Sequence, residues 1–149
     1  MRKIWEVPGG VHPPEHKVQS LSKPLFELGL PPEIILPVSQ HIGAPATPIV
    51  AVGDTVLKGQ LIAEGKEFIS ANIHASTSGT IKAIEDRPLP HASGFNGLCI
   101  VIEPDGDDKW TELTPTSDYK NTDRSTLLEK IQRSGIVGMG GAGFPASVK

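Results

Sequence analysis

Residues 49–64, IVAVGDTVLKGQLIAE, alternate short apolar runs with residues that bend a chain, which limits every element nearby to a few residues. Ile49, Val50 and Val52 precede Gly53-Asp54, Val56 and Leu57 precede Lys58-Gly59-Gln60, and Leu61, Ile62 and Ala63 follow. β-Branched side chains favour extended backbone, whereas Gly and Asp accept the angles of tight turns. The stretch therefore predicts a β-hairpin of short strands. A second apolar and glycine-containing stretch, residues 73–84 (IHASTSGTIKAI), predicts a similar unit one hairpin further on.

These two units, V-G-D-x-V-x-x-G-Q-x-I and A-x-x-S-G-x-I, resemble the two halves of the lipoyl/biotinyl-carrier family. The resemblance implies a mainly β fold, a flattened barrel-sandwich hybrid. The chain, 149 residues long, suits one domain with extensions. Its 16 glycines and 14 prolines exceed average usage of roughly 7 % and 5 %, so many turns and few long helices are expected.

Around the barrel the sequence divides into four parts. Residues 1–47 carry Gly9-Gly10, Pro13-Pro14, Pro24 and Pro31-Pro32 and predict an extended arm lying against the barrel, with a strand over 33–38. Residues 48–109 form the barrel, with a loop over 86–97, a buried strand over 98–103 and an acidic turn over 104–108. Residues 110–135 read as a polar linker and one short helix, capped by Asp123 or Ser125, with Leu127, Leu128 and Ile131 on one face and Gly135 ending it. Residues 136–149 are glycine-rich and read as the start of a further domain.

Charge and cysteine content narrow the function. The 14 basic and 17 acidic side chains give a net charge of -3, with no cluster of Lys or Arg among aromatics, which argues against nucleic-acid binding. Cys99 is the one cysteine, so the chain has no internal disulfide and no C-x-x-C metal motif. No run approaches the roughly 20 apolar residues of a membrane helix, and the first 16 residues lack the apolar core of a signal peptide, so direct membrane insertion is not expected.

Several strings carry possible chemistry. His12-Pro-Pro-Glu-His16 matches H-x-x-E-H, but zinc chemistry needs both imidazoles on one helical face and two prolines oppose that. His41, His74 and His91 stand in turn contexts and are expected to be hydrogen-bonding side chains rather than metal ligands. Lys66, in Glu64-Gly65-Lys66-Glu67, is the one candidate for lipoate or biotin attachment, an alternative function. It lacks flanking methionines and is expected to be an ordinary solvated turn lysine.

Gly138-Met-Gly140-Gly141-Ala-Gly143-Phe-Pro-Ala-Ser-Val-Lys149 resembles the flavin-binding loop G-R-G-G-A-G-F-P-T-G-L-K of the NADH-oxidising flavoprotein subunit of respiratory complex I. Met139 stands for the family Arg and Ala146-Ser147 for Thr-Gly. Glycines let backbone N–H groups approach a phosphate closely, and a lysine adds positive charge. The resemblance implies Gly138, Gly140, Gly141, Gly143 and Lys149 as FMN-binding residues.

Gly9-Gly10-Val-His-Pro-Pro-Glu-His-Lys17, Gln40-His-Ile-Gly-Ala-Pro-Ala46 and His74-Ala-x-x-Ser78-Gly79-Thr80, with this loop, resemble the N-terminal region of the C subunit of Rnf ion-translocating ferredoxin:NAD oxidoreductases. The A subunit of the sodium-pumping NADH:quinone oxidoreductase, which shares the barrel, is disfavoured by H-P-P-E-H-K and G-G-A-G-F-P. The Rnf resemblance implies a peripheral subunit on the cytoplasmic side of the bacterial inner membrane. It would partner the other Rnf subunits and NAD(H), and pass electrons to ferredoxin through FMN and two [4Fe-4S] clusters. It further implies that these residues are a fragment, inactive alone and holding no cofactor alone. The lack of a catalytic constellation between Pro8 and Trp110 makes the barrel a candidate non-catalytic docking module, and the glycine loop, without its partner surfaces, is expected to lie as a disordered tail.

Overall fold

The computed structural model describes residues 9–11 and 13–148, and the turn residues set where its strands end. Among the described residues the strands are β1 (Ile34–Pro37), β2 (Thr47–Pro48), β3 (Thr55–Val56), β4 (Leu61–Glu64), β5 (Ile73–His74), β6 (Gly79–Pro88) and β7 (Asn96–Pro104). One α-helix, α1 (Arg124–Arg133), follows. The strands form two antiparallel sheets, β1-β7-β6-β3 and β2-β4-β5. This is the mainly β barrel-sandwich fold expected.

The core lies between the sheets. Val56, Ile81, Ile100 and Ile102 from one sheet meet Ile62, Ala63 and Ile73 from the other, with Val38, Ala46 and Ala75 completing one buried cluster. Burial of apolar surface at roughly 25 cal/mol per Å² makes this cluster the main source of stability. In β7 the consecutive residues Cys99, Ile100, Val101 and Ile102 are all fully buried, as suits a strand flanked by β1 and β6. Burial also pushes the Cys99 thiol up, away from the thiolate that metals and electrophiles require.

Residues 49–64 do not form a self-contained hairpin. β2 pairs with β4, but β3 between them leaves for the other sheet and pairs with β6, Thr55 opposite Thr80 and Val56 opposite Gly79. The turns at Gly53 and Gly59 thus carry the chain from one sheet to the other and back. The loop expected over 86–97 is also shorter. β6 and β7 continue as a two-stranded ribbon to Pro88 opposite Asn96, leaving 89–95 as the connection. Proline is tolerated at this position because β3 pairs only with Gly79 and Thr80, which leaves this end of β6 with a free edge.

The acidic turn is held by buried hydroxyls. Ser78 donates to Asp105 (2.7 Å) and accepts from the Lys109 N–H (2.8 Å), while Thr77 donates to Asp108 (2.9 Å). Lys58 completes the contact with Asp108 at 2.5 Å and lies 5.0 Å from the Trp110 ring centre. Its backbone bonds Lys109 and Thr111 on either side, so Trp110 is fastened to the barrel and the linker begins after it.

Asp123 caps α1, its carboxylate accepting from the Thr126 N–H at 2.9 Å, and Gly135 follows the helix at φ +63°. Hydrogen bonds from Ser125 and Thr126 hold the Asp123 carboxyl well below the usual carboxylate range. The arm differs from expectation. Residues 13–30 are exposed, with one 3-10 turn at Lys17–Gln19, and Val18, Leu25, Phe26 and Leu28 do not pack on the barrel. The proline pairs remove the backbone donors that would bind such a segment to a sheet edge.

Candidate functional site

Three connections stack at one end of the barrel. Residues 39–44 enter β2, residues 65–72 join β4 to β5, and residues 136–145 follow the helix. The Ala44 N–H donates to the Ile69 carbonyl (3.0 Å), and the Ser70 hydroxyl donates to the Ala44 carbonyl (2.8 Å). Gly43 lies so close that a Cβ there would sit 2.2 Å from the Ile69 oxygen. On the other side the Ile42 N–H donates to the Ala142 carbonyl (3.0 Å).

The glycine-rich loop is therefore fastened to the barrel, contrary to the expectation of a disordered tail. Gly138 donates to the Phe144 carbonyl (3.0 Å) and Ala146 to the Ile136 carbonyl (2.8 Å), closing a short antiparallel bridge between Val137 and Pro145. Pro145 is fully buried. One backbone hydrogen bond between residues a hundred positions apart, Ile42 to Ala142, adds the order that the local sequence lacks.

Of the residues assigned to the loop, Gly138 sits at its base and Gly140 and Gly141 at its exposed tip. Gly143 lies against the barrel, where a Cβ would meet the Gln40 oxygen at 3.1 Å and the His41 Cα at 3.3 Å. Lys149 and His12 lie outside the described residues. Gly141 and Gly143 have φ of +62° and +60°, and open space faces the Cβ positions of Gly140 and Gly141. Among the described residues, the N–H groups of 139–143 donate to no protein acceptor.

Such a run of uncommitted amide donors is what a bound phosphate requires. The loop borders an open groove of about 910 Å³, shared with Ile42, Pro90, His91 and Met139. The donor set thus fits the phosphate of a flavin mononucleotide. It does not fit an iron–sulfur cluster, since the single cysteine is buried in β7 and no group of three His, Cys, Asp or Glu converges among the described residues.

The histidines have distinct surroundings. His91 is a turn residue bonded to Ser93 (2.8 Å). His41 is likewise in a bend and engages the backbone of Ala71 and Ile42. His74 is not in a turn but in β5, beside the end of α1. Its burial holds the imidazolium pKa below the usual value, partly offset by the Arg133 carbonyl.

The unfolded chain thus binds the His74 proton more tightly than the folded one. Stability is complete above the unfolded value of about 6.5 and declines as pH falls from there through the folded value. Thermal unfolding is expected at a lower temperature at pH 5 than at pH 7.5, with a smaller difference in His74→Gln. An unchanged pH dependence in that variant would remove His74 from the explanation.

Lys66, the residue considered for lipoate or biotin attachment, is exposed in the 65–72 connection. That connection is not a free tip, however. Asn72 accepts from the Gly65 N–H (3.0 Å) and donates to the Arg133 carbonyl (3.2 Å), tying it to the helix end. The sequence marked His41 as a hydrogen-bonding side chain but did not single out Gln40, Ile42 or Ala142 as positioning groups. The string Q-H-I-G-A-P-A was visible, but its contact with the glycine loop was not.

The family model described as the RnfC barrel sandwich hybrid domain matches residues 5–107. The chain is 48% identical over 147 residues to the C subunit of the ion-translocating oxidoreductase complex of Vibrio cholerae, covering 99% of this chain and 19% of that protein. The C subunits of the same description from Serratia proteamaculans and Yersinia pestis are 46% and 44% identical, again over 99% of this chain, and it covers 21% and 24% of their lengths. The chain thus spans about a fifth of the length of the curated relatives it matches. The match of the family model over residues 5–107 and the identity of 44–48% to these C subunits show that the chain belongs to the family of C subunits of ion-translocating oxidoreductase complexes and carries its RnfC barrel sandwich hybrid domain.

Proposed function

We propose that this chain is the N-terminal scaffold of the C subunit in an Rnf-type complex, a non-catalytic module that fixes the first loop of an FMN site and docks on neighbouring subunits. The observation that carries this reading is the attachment of the loop to the barrel, through Ile42 N–H to the Ala142 carbonyl and the close contact of Gly143 with residues 40 and 41. Gly138, Gly140, Gly141 and Gly143 would supply backbone approach to the FMN phosphate, with Lys149 adding charge. FMN, when bound, supplies the junction between two-electron exchange with NAD(H) and one-electron transfer to clusters. The two [4Fe-4S] clusters would draw their ligands from other parts of the subunit, which passes electrons between NAD(H) and ferredoxin in support of ion translocation.

No helix among the described residues is long and apolar enough to cross a membrane. The proposed site of action is peripheral, on the cytoplasmic side of the bacterial inner membrane. Ile49 and Val52, in the 49–54 connection from β2 to β3, are 51% and 62% exposed and are apolar enough to serve as contacts. Ile49→Asp and Val52→Asp in the full-length subunit are expected to reduce co-purification with the other subunits while FMN content is retained. Undiminished assembly in both variants would remove this turn as a docking surface, and parallel loss of FMN would show that the barrel does more than dock.

A further inference from the structure

His41 stands where the three stacked connections meet. Its Nε2 lies 3.1 Å from the Ala71 amide nitrogen. An amide N–H can only donate, so Nε2 is the acceptor and the ring proton resides on Nδ1. Nδ1 in turn lies 3.2 Å from the Ile42 carbonyl and donates to it. The N–H of Ile42 donates to Ala142 at 3.0 Å, and the His41 Cα would be 3.3 Å from a Cβ on Gly143. A single ring in one tautomer therefore fixes the backbone of 41–42 against 65–72 on one side, and that backbone holds the glycine loop on the other.

We infer that His41 is the positioning residue of the glycine-rich loop: an uncharged, Nδ1-protonated imidazole that sets where the free amides of 139–143 point. The ligand of those amides rests on the flavin reading given above, but the clasp itself is testable without any flavin. Gln places a carbonyl oxygen at about the reach of Nε2 and can accept from Ala71. Phe fills similar space and can accept nothing.

The test is amide hydrogen exchange on the 149-residue chain, with imidazole nitrogen NMR of the unsubstituted protein. The expected tautomer is Nδ1–H. In His41→Phe the Ile42 amide is expected to exchange about tenfold faster, as loss of one supported hydrogen bond implies. The Ile62 and Ile100 amides of the core should stay unchanged, and His41→Gln should restore Ile42 to within about threefold. An Nε2–H tautomer, or equal protection of Ile42 in all three proteins, overturns the clasp. Uniformly faster exchange in His41→Phe would reduce His41 to a general structural residue.

FMN titration of the full-length subunit separates the two ideas. A clasp present with FMN affinity lowered about tenfold in His41→Phe and recovered in His41→Gln supports both. A clasp present in a subunit that binds no FMN leaves His41 its positioning role and removes the flavin reading. FMN affinity unchanged in His41→Phe, despite faster exchange of Ile42, overturns the claim that His41 sets the direction of the loop amides.

Discussion

Ile62→Ala is expected to lower the free energy of unfolding by about 2–5 kcal/mol, the range for deleting a buried aliphatic side chain. Ile62 is fully buried in β4 and belongs to the buried cluster that joins both sheets. The chain beside it cannot collapse freely into the cavity, because β2 and β5 are two-residue strands held by turns on each side. Ile35, by contrast, is 42% exposed on edge strand β1, and Ile35→Ala should cost less than about 1 kcal/mol. Chemical denaturation of the two variants checks the ordering, and equal losses would mean that the inter-sheet cluster is not the centre of stability.

Gly43→Ala should have the second large effect. Gly43 has φ of +97°, and an added Cβ would lie 2.2 Å from the Ile69 oxygen and 2.7 Å from its Cγ2 atom. The backbone conformation alone costs an alanine roughly 1–3 kcal/mol, and the collision must also be relieved by separating residues 39–44 from 65–72. Because Ile42 carries the bond to Ala142, that separation should free the glycine loop as well. Limited proteolysis near residues 138–143 is expected to accelerate in Gly43→Ala. Gly140→Ala, where nothing lies within 4 Å of the added methyl group, should leave stability within about 0.5 kcal/mol of the parent. Proteolysis unchanged in Gly43→Ala would show that the two connections move independently.

The contrast between these two glycines shows what the sequence could convey. Glycine and aspartate at residues 53–54 and the Lys-Gly-Gln at 58–60 marked turns correctly, because turn chemistry is local. The apolar run at 98–103 announced β7 for the same reason, and Asp123 announced the start of α1. The partner of β3 was not legible, since two residues, Thr55 and Val56, carry no information about which sheet they join. Their pairing with β6 follows from the shape of the assembled core, not from any pattern in the strand.

The candidate site was half legible. Gly138 to Gly143 stood out through a resemblance that depends on side-chain absence, and absence is easy to read. What fastens that loop is a backbone bond from Ile42 to Ala142, which has no side-chain signature at either end. His41 was recognisable as a hydrogen-bonding residue, but its acceptor role depends on Ala71, thirty positions away. The exposed arm failed expectation through the same prolines that suggested it. They impose extension without supplying the donors that would attach an extended segment.

In the proposed function the barrel presents a phosphate-binding loop. FMN titration of the full-length subunit, followed by flavin fluorescence, tests it most directly when the parent is compared with Gly141→Val. Gly141 has φ of +62° and open space beyond its Cβ position, so valine there would both disturb the loop and fill the approach. One FMN is expected to bind per parent subunit, with affinity lower by about tenfold or more in the variant. Equal FMN binding by the two proteins would contradict it.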